Sequence, residues 1–319
     1  SRKSIVLSFH HFQYQSNIFQ EAFYYLWPIK YKYSLFSMNI TIAGGGAFGT
    51  SLANALKKDN QITIHTRNKQ VIYEINTFRK NKTYFPNKVL SKKIKATDDI
   101  EAVNDADFLF LCIPSHTISD FINTLNLNKN CTVINGAKGF GSNNKLIPDL
   151  LNEILPNKIA SLKGPSFANE LIFEIPTAFT IATADKDSYE NIKSLFRDDL
   201  AVFDYSNNIR GVEFLSILKN IYAIIIGIVD AYYNSPNVRF LVFTKSLNEI
   251  KKIIESLAVP FDTLFNYAGI GDFGLTALND LSRNRTLGLL IGKGFFGKNP
   301  GNPVVLEGVK AIDHFIKMF

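Results

Sequence analysis

Short apolar runs alternate with amphipathic stretches over residues 38–207 of the 319-residue chain. Some runs are apolar at every position, such as 108–113 (FLFLCI), which is typical of strands buried on both faces of a parallel sheet. Strands that alternate with helices predict a doubly wound α/β sheet. The predicted strands are 38–43, 61–66, 107–113, 131–135, 159–162, 177–183 and 201–204, and the predicted helices are 48–58, 69–80, 116–125, 144–154 and 186–197.

The pattern changes near Asn208. Residues 209–233 are apolar on nearly all sides of a helix, which predicts the buried centre of an all-helical part. No strand pattern is strong beyond this point. We therefore expect a sheet domain over 38–208 and an all-α domain over 209–319. Further predicted helices cover 240–257, 261–267, 273–292 and 302–317.

Residues 1–37 differ from the rest, because eleven of them are Phe, Tyr or Trp. Residues 4–20 carry no charge, yet their His, Gln, Asn and Ser side chains do not suit a membrane span. We expect an appendage outside the fold, with a helix on a membrane surface as the alternative. A compact domain would begin at Met38.

A glycine-rich turn joins the first predicted strand to the first predicted helix. Gly44, Gly46 and Gly49 form the G-x-G-x-x-G pattern, in which the glycines allow a tight turn, a close pyrophosphate and close helix packing. The N-terminus of the helix offers N–H groups and a positive dipole end to phosphates. The turn indicates a Rossmann-like dinucleotide site; the alternative is a purely structural turn.

The residues after the second strand suggest which dinucleotide is bound. NAD-binding units place an acidic residue about 20 positions beyond the glycines, but this chain has Thr66, Arg67 and Asn68 there. The guanidinium of Arg67 can face a 2′-phosphate. We therefore expect NADPH in preference to NADH, unless Arg67 is only a surface residue.

Composition narrows the classes of function. The net charge of +7 is spread along the chain without a basic block, which argues against nucleic-acid binding. Cys112 and Cys131 lie in apolar strand-like runs and suggest a reducing compartment, so we expect a cytoplasmic protein. The five histidines show no metal-ligand spacing, and we expect neither a metal site nor stable membrane insertion.

Several later segments, in order, closely resemble those of the bacterial NAD(P)-dependent glycerol-3-phosphate dehydrogenases, over about residues 38–310. They are Gly164-Pro165-Ser166-Phe167-Ala168-Asn169-Glu170, Leu218-Lys219-Asn220, Gly269-Ile270-Gly271-Asp272 and Ser282-Arg283-Asn284. The resemblance implies reversible hydride transfer between NAD(P)H and dihydroxyacetone phosphate, which gives sn-glycerol 3-phosphate for phospholipid synthesis.

By this resemblance Lys219 matches the catalytic lysine. Reduction of a ketone needs a proton on oxygen as hydride reaches carbon. A lysine on a buried helix can have its pKa lowered by desolvation and by a second cation, and Lys138 matches the family's substrate lysine. His116, which follows the fourth strand, is then expected to line the cleft without catalysing proton transfer.

The resemblance also assigns the other site residues. The expected substrate contacts are Lys138, Gly164, Ser166, Lys219, Asp272, Ser282, Arg283 and Asn284. The expected cofactor contacts are Gly44, Gly46, Ala47, Phe48, Gly49, Arg67, Lys138, Ala168, Arg283, Val305 and Glu307.

Only eleven residues follow Gly308, where the family usually continues, so we expect a shortened helical domain. This leaves two alternatives: a truncated relative that binds a dinucleotide but turns over poorly, and a related dehydrogenase of the 3-hydroxyacid type. The Ser282-Arg283-Asn284 segment argues against the second. A homodimer stays open.

Overall fold

The computed structural model describes residues 38–56 and 59–295. They contain an eight-stranded sheet in the order β3-β2-β1-β4-β5-β6-β7-β8. All neighbours are parallel except β6 and β7, which are antiparallel. The strands are β1 (Asn39–Ala43), β2 (Gln61–His65), β3 (Ile94–Thr97), β4 (Phe108–Leu111), β5 (Thr132–Asn135), β6 (Lys158–Lys163), β7 (Thr177–Thr183) and β8 (Ala201–Ser206).

The central strands are buried on both faces, as their continuous apolar runs predict. In β4, Phe108 and Phe110 belong to one hydrophobic cluster, while Leu109 and Leu111 belong to another. Successive side chains of a strand point to opposite faces, so the two clusters lie on the two sides of the sheet. This layering confirms the predicted doubly wound sheet, with one antiparallel pair that the sequence did not reveal.

Helices cover the sheet and make up most of the chain after it. They are α1 (Ala47–Ala55), α2 (Lys69–Phe78), α3 (Glu101–Asn104), α4 (Ile118–Ile122), α5 (Ile147–Ile154), α6 (Ala168–Ile172), α7 (Lys186–Ser194), α8 (Ile209–Tyr233), α9 (Pro236–Ser256), α10 (Asp272–Leu278) and α11 (Arg283–Gly292). The short elements β3, α3 and α6 were not predicted. The predicted boundary at 208 falls between β8 and α8, and the division into two domains stays a prediction.

Helix α8 has the predicted bounds and lies at the centre of the helical part. The Asn208 side chain accepts a hydrogen bond from Gly211 N–H at 2.7 Å and caps the helix. The helix is long and apolar enough to cross a membrane by composition, with a mean hydropathy of 1.9, yet 78% of that window is buried within the protein. Its apolar surface is therefore used in packing, at about 1.5–3 kcal/mol for each fully buried large side chain.

The single helix predicted over 273–292 is wrong. Helix α10 ends at Leu278, Asn279 is extended, and α11 begins only at Arg283. The Ser282 hydroxyl accepts a hydrogen bond from Arg285 N–H at 3.3 Å and caps the new helix. The break presents residues 282–284 at a helix start. The predicted helix over 302–317 and the appendage over 1–37 lie outside the described residues.

Candidate active site

The glycine turn has the geometry that its pattern predicts. Gly44 has a φ of +127°, and a Cβ there would lie 2.5 Å from the carbonyl oxygen of Cys112. A Cβ at Gly49 would lie 2.1 Å from the Gly44 carbonyl oxygen. Only glycine therefore suits these two positions without a shift of the backbone, and α1 packs closely on β1.

The space beside the turn fits an anionic group. Gly46 is the N-cap of the nine-residue helix α1 and offers no side-chain cap, and a Cβ there would meet nothing within 4 Å. The first N–H groups of α1 are thus left for another acceptor, and the helix dipole favours a negative charge. Phe48 extends the site towards β5, since a Cβ at Gly136 would lie 3.3 Å from its ring. These features fit the pyrophosphate of a dinucleotide.

Arg67 lies beside the same turn. The preceding residue, Thr66, packs against Gly45, where a Cβ would lie 3.0 Å from the Thr66 Cβ. Arg67 is exposed, and Asn68 is occupied in capping α2 through hydrogen bonds from Gln70 and Val71 N–H. Residues 66–68 after β2 therefore offer a guanidinium, and no carboxylate of their own, to a group bound at the turn.

Three charged side chains meet between the sheet and the helices that follow it. Lys219 lies in α8, Asp272 opens α10, and Lys138 follows β5. The Lys219 ammonium pairs with the Asp272 carboxylate, and Lys138 Nζ lies 3.7 Å from the same oxygen, Oδ2. Lys219 and Asp272 expose only 1% and 2% of their side chains, whereas Lys138 exposes 30%. One buried carboxylate therefore joins two lysines, one of which reaches solvent.

The environment of Lys219 brings its titration close to neutral pH. Burial lowers the pKa of Lys219 to about 7; the Asp272 carboxylate opposes this shift and the Lys138 ammonium adds to it. An amine with a pKa near the working pH can both give and take a proton, which suits a general acid and base. The geometry is thus compatible with the role that the resemblance implies for this lysine.

Helices α8 and α11 run side by side in the same direction. A Cβ at Gly288 would lie 2.1 Å from the Ile224 carbonyl oxygen, and one at Gly292 would lie 2.8 Å from that of Ile228. A step of four residues along α8 therefore corresponds to a step of four residues along α11. Such backbone contact is open only to small residues, and it fixes the register of the two helices.

This register carries the start of α11 towards Lys219. Gly288 meets Gly227 of α8, so Asn284, one turn before Gly288, falls level with Ala223, one turn after Lys219. The Asn284 side-chain oxygen is buried without a hydrogen-bond partner among the described residues, which is unfavourable unless a ligand donor meets it. Ser282 is buried as the helix cap, and Arg283 is exposed.

The loop between β6 and α6 lies beside both the glycine turn and the lysine cluster. The Pro165 ring lies 3.7 Å from where a Cβ of Gly271 would stand, next to Asp272. Ser51 of α1 donates a hydrogen bond to the Ala168 carbonyl oxygen at 2.8 Å. Within the loop, the Ser166 hydroxyl donates to the Gly164 carbonyl oxygen at 3.1 Å. The loop therefore spans from the glycine turn to the lysine cluster.

His116 is exposed in the loop after β4, and its cleft-lining role stays a prediction. The neighbouring Ser115 hydroxyl lies 3.1 Å from where a Cβ of Gly139 would stand, so the loops after β4 and β5 are adjacent. Val305 and Glu307 lie outside the described residues.

Sequence reasoning gave no role to a buried ion pair behind Lys138. Lys163, at the end of β6, lies 3.1 Å from Glu213 of α8, and neither side chain is exposed. The signal in the sequence was a lysine that closes an apolar strand and a glutamate within an apolar helix. Neither residue alone indicates an ion pair. The sequence does not link the two, because their positions are fifty residues apart.

Comparison with known proteins adds to this geometry. The sequence model for the N-terminus of NAD-dependent glycerol-3-phosphate dehydrogenase matches residues 39–189, and the model for its C-terminus matches 208–319. A protein of Clostridium botulinum (strain Eklund 17B / Type B) named glycerol-3-phosphate dehydrogenase (NAD(P)+) is 32% identical over 286 residues, covering 88% of this chain and 87% of the relative. One of that name from Clostridium acetobutylicum is 33% identical over 287 residues, covering 88% and 86%.

Comparison with solved structures indicates the same family. The crystal structure of a glycerol-3-phosphate dehydrogenase from Coxiella burnetii superposes with a TM-score of 0.82 at 25% sequence identity. The match covers 88% of this chain and 89% of that one. The sheet and the helices after it thus have the same arrangement in both proteins.

Proposed function

The chain belongs to the NAD-dependent glycerol-3-phosphate dehydrogenase family, and on this premise we propose that it catalyses reversible hydride transfer between NAD(P)H and dihydroxyacetone phosphate. The product of reduction is sn-glycerol 3-phosphate, a precursor of glycerophospholipids. The observation that carries the proposal is the buried Lys219, paired with Asp272 and next to Lys138, on the helix that follows the dinucleotide-type sheet.

Lys219 is assigned the proton transfer. In reduction its ammonium donates a proton to the ketone oxygen, and in oxidation the neutral amine takes the proton of the alcohol. Asp272 keeps the ammonium in place and supports its protonated form, while Lys138 favours the neutral form. Burial of Lys219, together with the balance of these two charges, lets one lysine serve both directions.

Two sets of donors are assigned to the substrate. Lys138, partly exposed, faces the side of the cluster that solvent reaches and attracts a phosphorylated substrate. Ser282, Arg283 and Asn284 offer a hydroxyl, a guanidinium fork and an amide at the start of α11, where the helix dipole also favours an anion. Gly164 and Ser166 complete the substrate contacts in the loop beside Asp272.

The dinucleotide is assigned to the glycine turn. Gly44, Gly46 and Gly49 with Ala47 and Phe48 would hold the pyrophosphate at the start of α1, and Arg67 would meet the adenosine ribose. Ala168, Arg283 and Lys138 would approach from the other loops. When bound, the reduced nicotinamide supplies the hydride. Val305 and Glu307 keep their assignment from the resemblance.

Arg67→Ala is expected to raise the KM for NADPH by about 10- to 100-fold, because a charge-assisted contact to the 2′-phosphate is lost. The KM for NADH should change little, since NADH has no such phosphate. Both constants are measured with saturating dihydroxyacetone phosphate. Lys95→Ala, which removes an exposed cation on β3, is the matched control and should change neither constant. An equal effect on both cofactors would contradict the NADPH preference.

The proposed function is tested with the purified chain and NADPH, followed by absorbance. Consumption with dihydroxyacetone phosphate, and not with 3-keto acids, is the expected result. Consumption with 3-keto acids instead would favour the related 3-hydroxyacid dehydrogenase. Cofactor binding without turnover of either substrate would identify a relative that binds a dinucleotide but does not catalyse the reaction.

The location follows from the proposed chemistry. Dihydroxyacetone phosphate and NAD(P)H are small metabolites of the cytoplasm, so we assign the protein there. Cys112 and Cys131 are free thiols, which fits a reducing compartment. Burial raises the pKa of both to about 12, so neither is reactive near neutral pH. The partner is a small phosphorylated substrate; the proposed function involves neither nucleic acid nor stable membrane insertion, and a homodimer is compatible with it.

A further inference from the structure

The ion pair between Lys163 and Glu213 is fully enclosed, with 0% of either side chain exposed. Lys163 directs its ammonium at three acceptors: Glu213 Oε1 at 3.1 Å, the Asn135 carbonyl oxygen at 3.1 Å, and the Ala137 carbonyl oxygen. A lysine ammonium has three donors. All three are therefore engaged, and two of them hold the backbone of one short loop.

The same loop is also held through Asn135. Its side-chain N–H donates to Glu213 Oε1 at 2.8 Å, and its side-chain oxygen accepts from Ala137 N–H at 3.0 Å. Ser161 Oγ adds a third hydrogen bond to Glu213 Oε1, at 2.5 Å. The backbone from 135 to 137 is thus fixed by this cluster at the carbonyls of Asn135 and Ala137 and at the Ala137 N–H, and the Gly136 N–H donates to the Leu111 carbonyl oxygen at 3.0 Å.

The next residue after this loop is Lys138, whose ammonium lies 3.7 Å from Asp272 in the lysine cluster. The other end of the arrangement is Glu213, which lies on α8, six residues before Lys219. The ion pair therefore connects the backbone that carries Lys138 to the helix that carries Lys219. A shift of that backbone would move Lys138 relative to Asp272.

We propose that Lys163 and Glu213 are positioning residues for the active site, which hold the loop 135–137 so that Lys138 is placed against Asp272 and the substrate. The inference rests on the proposed function, because it concerns where the substrate lysine stands. Neither residue is assigned contact with substrate or cofactor. Their effect passes through Lys138.

A role in stability alone does not account for the arrangement. A buried ion pair is weak evidence for stability, since apolar residues of similar volume often replace it without loss. What this pair provides is the position of particular backbone atoms next to a site residue. Errors of about 1 Å in such placement lower rates by up to about 100-fold.

The test is a double-mutant cycle between the pair and Lys138. The pair is replaced together by Lys163→Met and Glu213→Gln, so that no charge is left unpaired and the glutamine still accepts from Asn135 and Ser161. We expect kcat/KM for dihydroxyacetone phosphate to fall about tenfold. In the Lys138→Ala background, the same double change should lower kcat/KM by less than about threefold, because the residue it positions is gone.

Two further measurements separate positioning from general damage. Hydrogen exchange of the amides at 136–139 should speed up in the pair variant, while amides of α7 keep their rates. The dissociation constant for NADPH, measured by fluorescence, should change less than kcat/KM does, since the glycine turn is not altered and Lys138 is only one of the assigned cofactor contacts. Ile192→Ala, a core change in α7, is the control: it should lower Tm but leave kcat/KM unchanged.

If the pair variant does not fold, Asn135→Ala takes its place in the same double-mutant cycle. That change frees Ala137 N–H and keeps the Lys163–Glu213 pair, so non-additivity with Lys138→Ala is again expected. Equal losses in the two backgrounds, or no loss in either, would overturn the positioning role. If Lys138→Ala itself leaves kcat/KM unchanged, the assignment of Lys138 in the proposed function has failed, and this inference falls with it.

Discussion

Lys219→Ala is expected to lower kcat for reduction of dihydroxyacetone phosphate by about two to four orders of magnitude, the usual range for loss of a general acid. The variant should fold, because Asp272 keeps a cation, Lys138, 3.7 Å away. NADPH affinity should be retained, since the glycine turn lies on a different element. Steady-state kinetics with a fluorescence titration of NADPH give both quantities on one preparation.

The matched control for this change is Lys252→Ala, which removes an exposed lysine from another helix. Surface substitutions of this kind usually change stability by less than about 0.5 kcal/mol, and we expect no change in kcat. A wild-type rate in the Lys219→Ala variant would remove the proton-transfer assignment. A loss that is matched by loss of NADPH binding would point to misfolding of the cofactor site.

Asp230→Ala is expected to lower the free energy of unfolding by about 3–5 kcal/mol, the usual loss when one partner of a buried ion pair is removed. Asp230 has 2% of its side chain exposed; it pairs with Arg285, and accepts a hydrogen bond from Arg239 Nε at 2.7 Å. These three residues join the end of α8 to the starts of α9 and α11. Without Asp230, the guanidinium of Arg285 loses its buried partner.

Equilibrium urea unfolding, followed by circular dichroism, measures this loss. Asp280→Ala is the control, because Asp280 pairs with the same Arg285 but is 86% exposed. An exposed ion pair is screened by solvent, so its removal should cause a much smaller loss. Similar losses for the two variants would show that burial of Asp230 does not set the strength of the contact.

Much of the sheet and one helix could be predicted because their patterns are long or continuous. The bounds of α8 at 209 and 233 follow from an unbroken apolar surface with Asn208 before it and Asn234 after it. The glycine turn was equally clear, since its strand and helix stood on either side. In each case the local sequence contains the physical cause of the structure.

The elements that were missed depend on distant parts of the chain. Strand β3 lies at the edge of the sheet, so only Ile94 and Ala96 are buried while Lys95 is exposed, and so short an alternation is weak. The antiparallel direction of β7 is set by its connection to β6. The sequence does not reveal this direction, because both strands are similarly apolar. The break before α11 needed the Ser282 cap to be weighed against a continuing apolar pattern.

The candidate site also contains residues that could be predicted from the sequence and residues that could not. Lys219, Lys138 and Asp272 were assigned through a resemblance that covers about residues 38–310, and the structure brings the three together. The ion pair of Lys163 and Glu213 was not found, because a buried charge can be interpreted only once its partner is known. The partner lies on another element, so only the fold reveals it.

The most direct test of the central claim is the pH dependence of kcat/KM in both directions, which reports the free protein. Because the pKa of Lys219 is lowered to about 7, reduction, which needs the ammonium, should fall above that pH. Oxidation of sn-glycerol 3-phosphate, which needs the neutral amine, should fall below it. Two profiles that decline on the same side of pH 7, or a reduction rate that is constant up to pH 9, would contradict proton transfer by Lys219.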